Sequence, residues 1–168
     1  METDLRKLTI ISWGAIAALA VLLAVVAWLT WPGPPPGEPP RAREYRDYDL
    51  CLLTDDKGIQ GDAAAKVWQG LQTVSLETKS RVSFLPVMGE QTEAVAAQFV
   101  ATQVQQSCDI IVAVGGPQVN AVGKNAEKYP AVRFVVVGAP PVYGGPNLAN
   151  SEADAGSVAA RVRPLIQR

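Results

Sequence analysis

The sequence predicts an α/β fold: a single doubly wound parallel sheet of four strands, order 2-1-3-4, with flanking helices, preceded by one transmembrane helix. Two observations predict it. An apolar run stands near the start of the 168-residue chain. Beyond it, four short apolar runs alternate with segments of helical periodicity. The predicted division is a cytoplasmic N-terminus at 1–7, a transmembrane helix at 8–30, a proline-rich linker at 31–48 and an α/β lobe at 49–168.

The apolar run from Leu8 to Leu29 contains no charged residue. As a helix it would span roughly 33 Å, about the thickness of the hydrocarbon core of a bilayer. It is longer than the apolar part of a signal peptide, about 7–15 residues, so an uncleaved anchor in the lipid bilayer is favoured over a cleaved signal. Arg6 and Lys7 precede it, and basic residues stay on the cytoplasmic side. The sequence therefore predicts a single-pass protein of the cell membrane, with its N-terminus cytoplasmic and its domain extracytoplasmic.

The linker is dominated by proline, which fills six of the nine positions from Pro32 to Pro40. Such a segment favours the extended polyproline II conformation and acts as a semi-rigid spacer. A ligand for an SH3 or WW domain is the alternative interpretation, but those domains are mostly cytosolic. We expect a stalk that holds the domain away from the membrane.

The four predicted strands lie at 49–54, 82–87, 109–114 and 132–137. The last two are almost continuously apolar, as in parallel strands covered on both faces. Pro86 makes the second strand an edge strand, because proline donates no ladder hydrogen bond. Helical patterns separate the strands. Asp62 is the predicted cap of the first helix, whose apolar face runs from Ala64 to Val74. Apolar faces at Val95 to Val100 and at Val119 to Ala126 predict the second and third helices. The capping-box spacing of Ser151 and Asp154 predicts the start of the fourth.

Composition narrows the possible functions. The net charge is −1 and the chain contains no histidine. A nucleic-acid-binding protein would need a basic face, which is missing here. The absence of histidine excludes ordinary serine triads and Cys–His pairs, and it removes the commonest metal ligand. The sequence therefore predicts no catalytic residue, no metal centre, no cofactor and no nucleic-acid partner.

Cys51 and Cys108 are the only cysteines. One lies in the first predicted strand and the other at the start of the third, and these strands are neighbours in the order 2-1-3-4. Outside the cytoplasm such a pair favours a disulfide. Two buried, reduced thiols acting as small apolar side chains are the alternative.

Ligands of doubly wound sheets bind beyond the carboxyl ends of the strands. The candidate ligand-binding residues at that edge are Asp55, Asp56, Gln60, Gly115, Gly116 and Gln118. The adjacent aspartates Asp55 and Asp56 could hold a divalent cation, but a solvated turn is the favoured interpretation. Gly115 and Gly116 precede a helix whose N-terminus could bind an anion. Without a P-loop or a GxGxxG pattern, a tight strand-to-helix turn is favoured there as well.

Several segments resemble one known family, in order and with similar spacing. They are Leu50–Asp55 (LCLLTD), Gly58-Ile59, Trp68–Leu71 (WQGL), Cys108–Gly115 (CDIIVAVG), Ala126–Pro130 (AEKYP), Val132–Val137 (VRFVVV), Asn147–Ala149 (NLA), Glu152 and Ala155-Gly156. The series resembles the basic membrane protein (BMP) family of substrate-binding proteins. No single motif is specific, but the ordered series is.

The resemblance implies a type 1 periplasmic-binding-protein fold. Members of the family bind small solutes, often purine nucleosides, between two lobes and deliver them to ABC transporters. This chain resembles the first lobe only. The family's Asp-Lys-Ser-Phe-Asn stretch is replaced by Gln60–Ala65 (QGDAAA), which removes a stacking phenylalanine and an asparagine, and Gly138 stands where an aspartate is usual. We therefore expect a retained scaffold with a degenerate nucleoside site.

The favoured function is a membrane-tethered, non-enzymatic lobe that binds or senses a small, nucleoside-like solute weakly. The alternative is an interaction module that binds no ligand and instead forms a homodimer or docks on an ABC transporter or sensor partner. An enzyme is disfavoured, because no nucleophile stands with a base.

Overall fold

The computed structural model describes residues 19–29 and 45–166. The chain forms two compact units, Met1–Ala42 and Arg43–Arg168. In the first unit, residues 19–29 are helical. The rest of the predicted span 8–30, and the linker as far as residue 44, lie outside the described residues. Within the described ranges, no helix combines the length and the apolar character needed to cross a membrane.

The second unit is built on a parallel β-sheet in the order β2-β1-β3-β4-β5. Its strands are β1 (Arg46–Thr54), β2 (Ser80–Pro86), β3 (Ile110–Val114), β4 (Arg133–Val137) and β5 (Leu148–Ser151). The predicted α/β class, the order of the first four strands and the edge position of β2 are confirmed. The predicted count of four strands is wrong. The missed strand β5 reads Leu-Ala-Asn-Ser, is only partly buried and lacks an apolar run, because it pairs with β4 on one side only.

Four helices cover the sheet: α1 (Asp62–Thr78), α2 (Glu93–Gln105), α3 (Gly116–Asn125) and α4 (Ala155–Ile166). Short 3₁₀ turns lie at Gly58–Gln60 and Ala126–Lys128. Helices α1 and α4 pack on one face of the sheet, and α2 and α3 pack on the other. The result is a three-layer, doubly wound lobe.

The core divides into two apolar layers because side chains alternate along each strand. In β1, Leu50 and Leu52 face α1 and α4, whereas Cys51 and Leu53 face α2 and α3. All four are buried. The near-continuous apolar sequence of the central strands follows from this burial on both sides.

The helix caps agree only in part with the sequence. The Oδ1 atom of Asp154 accepts from the backbone N–H of Ser157 at 2.9 Å, so Asp154 itself is the cap of α4. The predicted capping box, with Ser151 as the cap and Asp154 three residues later, is wrong. Ser151 does not take part, because it ends β5. Asp62 is the first residue of α1 rather than its cap, and Gly61 occupies the cap position without a side-chain hydrogen bond. The missing cap leaves the first backbone N–H groups of α1 available to solvent or ligand.

Two cross-links fix the chain around the sheet. Cys51 and Cys108 form a disulfide with a Cα–Cα distance of 5.9 Å, which confirms the predicted pairing. On the same side of the sheet, the Nδ2 atom of Asn147 lies within hydrogen-bond distance of three backbone carbonyl oxygens. The acceptors are Ala126 at 2.9 Å, Tyr129 at 3.0 Å and Val132 at 2.8 Å.

Candidate functional site

A cleft of about 330 Å³ opens at the carboxyl ends of β1, β3 and β4, where the fold predicts a ligand. Three strand ends form its floor, the first turn of α1 forms one wall, and the β5–α4 loop closes the other side. The lining residues are Thr54, Asp55, Lys57, Gly61 to Ala64, Val114, Gly115, Val137, Gly138 and Ala153.

Asp55 is the half-buried carboxylate of this cleft. Its Oδ1 atom accepts from the backbone N–H of Lys57 at 3.2 Å, and its carbonyl accepts from the N–H of Gly58 at 3.1 Å. This local turn is typical of aspartate and fixes the side chain against the strand end. Asp56 and Gln60 are exposed and do not line the cleft. The pair Asp55-Asp56 therefore presents one carboxylate to the cleft rather than two.

Lys57 and the start of α1 bring positive potential to the same cleft. The first N–H groups of α1 have no partner within the helix, and the helix dipole places partial positive charge at this end. Asp62 opposes that charge from the first turn. The cleft is thus electrostatically mixed, with carboxylates and donors within one small volume.

Gln118 is not available to a ligand at this edge, because its side chain is fully buried. Gln91 donates through Nε2 to the carbonyls of Val87 at 2.8 Å and Gly89 at 3.2 Å. Its Oε1 atom accepts from Gln118 Nε2 at 2.8 Å, which fixes the orientation of both amides. Gln118 therefore supports the loop after β2 rather than forming a binding surface.

Gly115 is required by this packing. Its φ is +107°, and a Cβ atom built there would lie 2.4 Å from Gln118 Oε1. Gly116 has open space around it and is exposed. Of the six predicted ligand-binding residues, the structure brings Asp55 and Gly115 to the cleft and leaves Asp56, Gln60, Gly116 and Gln118 outside it.

Sequence reasoning missed Lys57 and Thr54 as cleft residues. Thr54 is the last residue of β1 and is buried. Lys57 lies in the turn between β1 and α1. The signal that could have identified both was their position, because every residue that directly follows a strand of this sheet approaches the same edge.

A second groove, of about 560 Å³, lies at the opposite edge, near the starts of β4 and β5. There the Arg133 guanidinium donates to the carbonyl of Leu165, and the Tyr48 hydroxyl donates to the same oxygen at 3.3 Å. Burial raises the pKa of Tyr48, and the positive charge of Arg133 opposes that shift. These contacts satisfy a carbonyl at the end of α4, so we assign them a structural role.

Comparison with known proteins shows the fold. No family model matches the sequence, and no curated protein matches it either. Among solved structures, the chain is similar to one assigned as a lipoprotein fragment from Peptoclostridium difficile 630, with 13% identity and a TM-score of 0.58. The match covers 71% of this chain and 96% of that one.

The chain is also similar to an ABC transporter system solute-binding protein from Aeropyrum pernix K1, with 24% identity and a TM-score of 0.50. That match covers 60% of this chain but only 27% of the other, so this chain spans about a quarter of the solute-binding protein. The described domain therefore has a periplasmic-binding-protein-like fold.

Proposed function

We propose that the protein is a membrane-tethered, extracytoplasmic lobe that binds or senses a small solute, and that it derives from BMP-like substrate-binding proteins. The observation that carries the proposal is the cleft at the carboxyl edge of a lobe with a periplasmic-binding-protein-like fold, with Asp55 at its base. This edge is where open α/β sheets bind ligands. Known neighbours of the fold include solute-binding proteins, which is consistent with a function that is not enzymatic.

The mixed charge of the cleft favours a neutral or zwitterionic polar solute over a multiply charged one. Asp55 and Asp62 would accept hydrogen bonds, while Lys57 and the first N–H groups of α1 would donate them. A highly charged ligand would meet a like charge from one of these groups. Delivery to an ABC transporter is the corresponding physiological role.

A ligand screen with a matched pair of variants tests the proposal. The full chain would be examined by thermal shift with nucleosides, amino acids and sugars. Asp55→Asn keeps the turn acceptor but removes the charge from the cleft, and we expect it to abolish the shift caused by a binding solute. Asp56→Asn makes the same chemical change one residue away, outside the cleft, and should preserve that shift. Equal responses of the two variants would refute the assignment of the site.

Purine nucleosides should bind weakly, with a dissociation constant above about 1 µM. Loss of the stacking ring removes about 1 kcal/mol of aromatic contact, and each lost hydrogen-bond partner removes roughly another 1 kcal/mol. Calorimetry with adenosine, guanosine and inosine measures the affinity. Binding at or below a micromolar would contradict a degenerate site.

The proposed membrane topology rests on Arg6, Lys7 and the apolar run. A reporter fused after Arg168 should be active if it requires export and silent if it requires the cytoplasm. The reverse pattern would exclude an extracytoplasmic domain.

An interaction module remains the alternative function. Exposed apolar side chains on the loops that follow β2 and β4 favour it: Met88 is 62% exposed and Val142 is 82% exposed. Absence of any thermal shift across the screen, together with capture of a transporter or sensor subunit that depends on Met88 and Val142, would establish this alternative.

A further inference from the structure

Strand β2 has an unpaired outer edge within the described domain. It is hydrogen-bonded to β1 on one side, and no strand among residues 45–166 pairs with its other side. Alternate backbone N–H and C=O groups of such an edge point outward and can accept another strand. The other edge strand, β5, is only four residues long, whereas β2 has seven. The longer edge is therefore the stronger template for strand addition.

The usual protections against edge pairing are weak on β2. Natural edges are blocked by lysine, by inward charges or by proline within the strand. The only charged residue of β2 is Arg81. Its guanidinium forms salt bridges with Asp49, at 2.6 Å from Nε to Oδ1, and with Asp47, at 2.7 Å from Nη2 to Oδ1. Its only proline, Pro86, is the last residue of the strand. At that position the missing N–H donor has the least effect on a ladder.

Apolar side chains extend along the same edge. Phe84 is 41% exposed, and its ring makes an edge-to-face contact with Trp68 of α1 at a centroid distance of 5.4 Å. Val82 and Trp68 pack on the same core layer. Ser83 lies on the opposite face, where its Oγ contacts Cys51 Sγ at 3.5 Å. An exposed aromatic ring on an edge strand would gain buried area from a neighbouring strand.

We propose that β2 pairs antiparallel with β2 of a second copy of this chain, which joins the two sheets across a two-fold axis at Ser83. The strand runs from Ser80 to Pro86, so Ser83 is its midpoint, and full overlap places Ser83 opposite its own copy. A two-fold contact must be self-complementary, and this register meets that condition.

The pairs created by this register are favourable. Val82 of each copy lies opposite Phe84 of the other, an aromatic–β-branched pair that occurs twice. Arg81 lies opposite Leu85, so no like charges face each other. Other registers shorten the overlap or separate the two apolar pairs. The self-complementary pairing is the reason to prefer a second copy over an unrelated extended peptide.

The predicted dimer is weak. Seven residues extend about 23 Å, so the contact is one strand long and stands at the low end of specific interfaces, roughly 1,200 Å² or less. We expect a dissociation constant on the order of 10 µM, because interfaces of this size commonly form transient complexes. Each edge substitution acts twice in a two-fold dimer, which makes the interface sensitive to single changes.

Sedimentation velocity of the full chain in density-matched detergent, from about 1 to 200 µM on either side of that affinity, provides the test. The wild-type chain should dimerise over this range. Phe84→Lys should weaken dimerisation at least tenfold. Tyr143→Lys adds the same side chain at another exposed aromatic residue, in the loop after β4 and far from β2 in the fold, and should leave dimerisation unchanged. A monomeric wild-type chain, or equal dimerisation of the two variants, would overturn the proposal.

A mixing experiment tests the register. Val82→Glu alone should also weaken dimerisation at least tenfold. A mixture of Val82→Glu and Phe84→Lys chains should instead form heterodimers, because the new charges lie opposite each other only in this pairing. A mixture that stays monomeric would exclude the register. Thermal unfolding of each variant controls for folding. If Val82→Glu does not fold, Phe84→Glu mixed with Val82→Lys reverses the charges. The comparison of Phe84→Lys with Tyr143→Lys then decides the question of dimerisation.

Discussion

Breaking the Cys51–Cys108 disulfide should remove a large part of the stability of the lobe. The two cysteines are 57 positions apart in the chain. In the chain-entropy model, closing a loop of that length in the unfolded state is worth about 4 kcal/mol. The total free energy of unfolding of a natural domain is roughly 5–15 kcal/mol. The disulfide is therefore expected to supply a substantial fraction of the free energy of unfolding.

The rest of the packing around the bond should survive its loss. The backbone N–H of Asp49 donates to Asp109 Oδ2 at 2.7 Å, and the N–H of Asp109 donates to the carbonyl of Asp49 at 3.0 Å. This reciprocal pair holds β1 against the start of β3 beside the disulfide. We therefore expect the reduced protein to fold with the same sheet register and to be less stable.

Guanidinium unfolding of the unit Arg43–Arg168, with and without reductant, measures the effect. With a slope of about 4 kcal/mol/M, a loss of 4 kcal/mol lowers the midpoint by about 1 M. The double variant Cys51→Ala and Cys108→Ala is the control, because reductant should not change its midpoint. A midpoint that reductant leaves unchanged in the wild-type protein, or alkylation of both thiols without reductant, would refute the argument.

Three further predictions concern packing and caps. Gly70→Ala should destabilise the lobe by about 1–2 kcal/mol in chemical denaturation, since overpacking outweighs the gain in helix propensity. The new Cβ would lie 2.6 Å from the carbonyl oxygen of Ala155. The control Gly116→Ala places its Cβ in open space and should be neutral. Asn147→Asp should unfold more easily than Asn147→Ala, because it places a carboxylate against three carbonyl oxygens. The hydrogen bond from Ser157 lowers the pKa of Asp154. The stabilising effect of this hydrogen bond should therefore be complete above about pH 4 and should be lost as the pH falls further. Asp154→Asn should make the free energy of unfolding less dependent on pH in that acid range.

The scaffold could be predicted from the sequence because its determinants are local and periodic. The apolar runs of β3 and β4 each indicate a strand, and the spacing of Val67, Leu71 and Val74 indicates a helix. Their alternation and the crossover rule then give the order of the strands. The cysteine pairing followed from that order, since it required only that the first and third strands be neighbours.

Other features depended on tertiary contacts that no local pattern records. Strand β5 is defined by its pairing with β4 rather than by apolar residues of its own. The burial of Gln118 depends on Gln91, 27 positions earlier in the chain. A polar residue after a strand was therefore interpreted as a ligand contact when it is a support for a loop. Asp62 is likewise predicted as a helix cap from its residue type, but Gly61 occupies the cap position in the structure.

The glycines at the carboxyl edge show why fold and ligand specificity separate in this lobe. Gly115 and Gly138 have positive φ values of +107° and +96°, so the turns after β3 and β4 require glycine whether or not a solute binds there. They are consequences of the scaffold and carry no information about a ligand. In the proposed function, the solute is selected by cleft side chains outside these turns, chiefly Asp55 and Lys57 after β1, and by the exposed start of α1. A substitution at Asp55 should therefore remove solute binding and leave the fold intact, whereas a substitution at Gly115 should act through the loop that Gln118 supports.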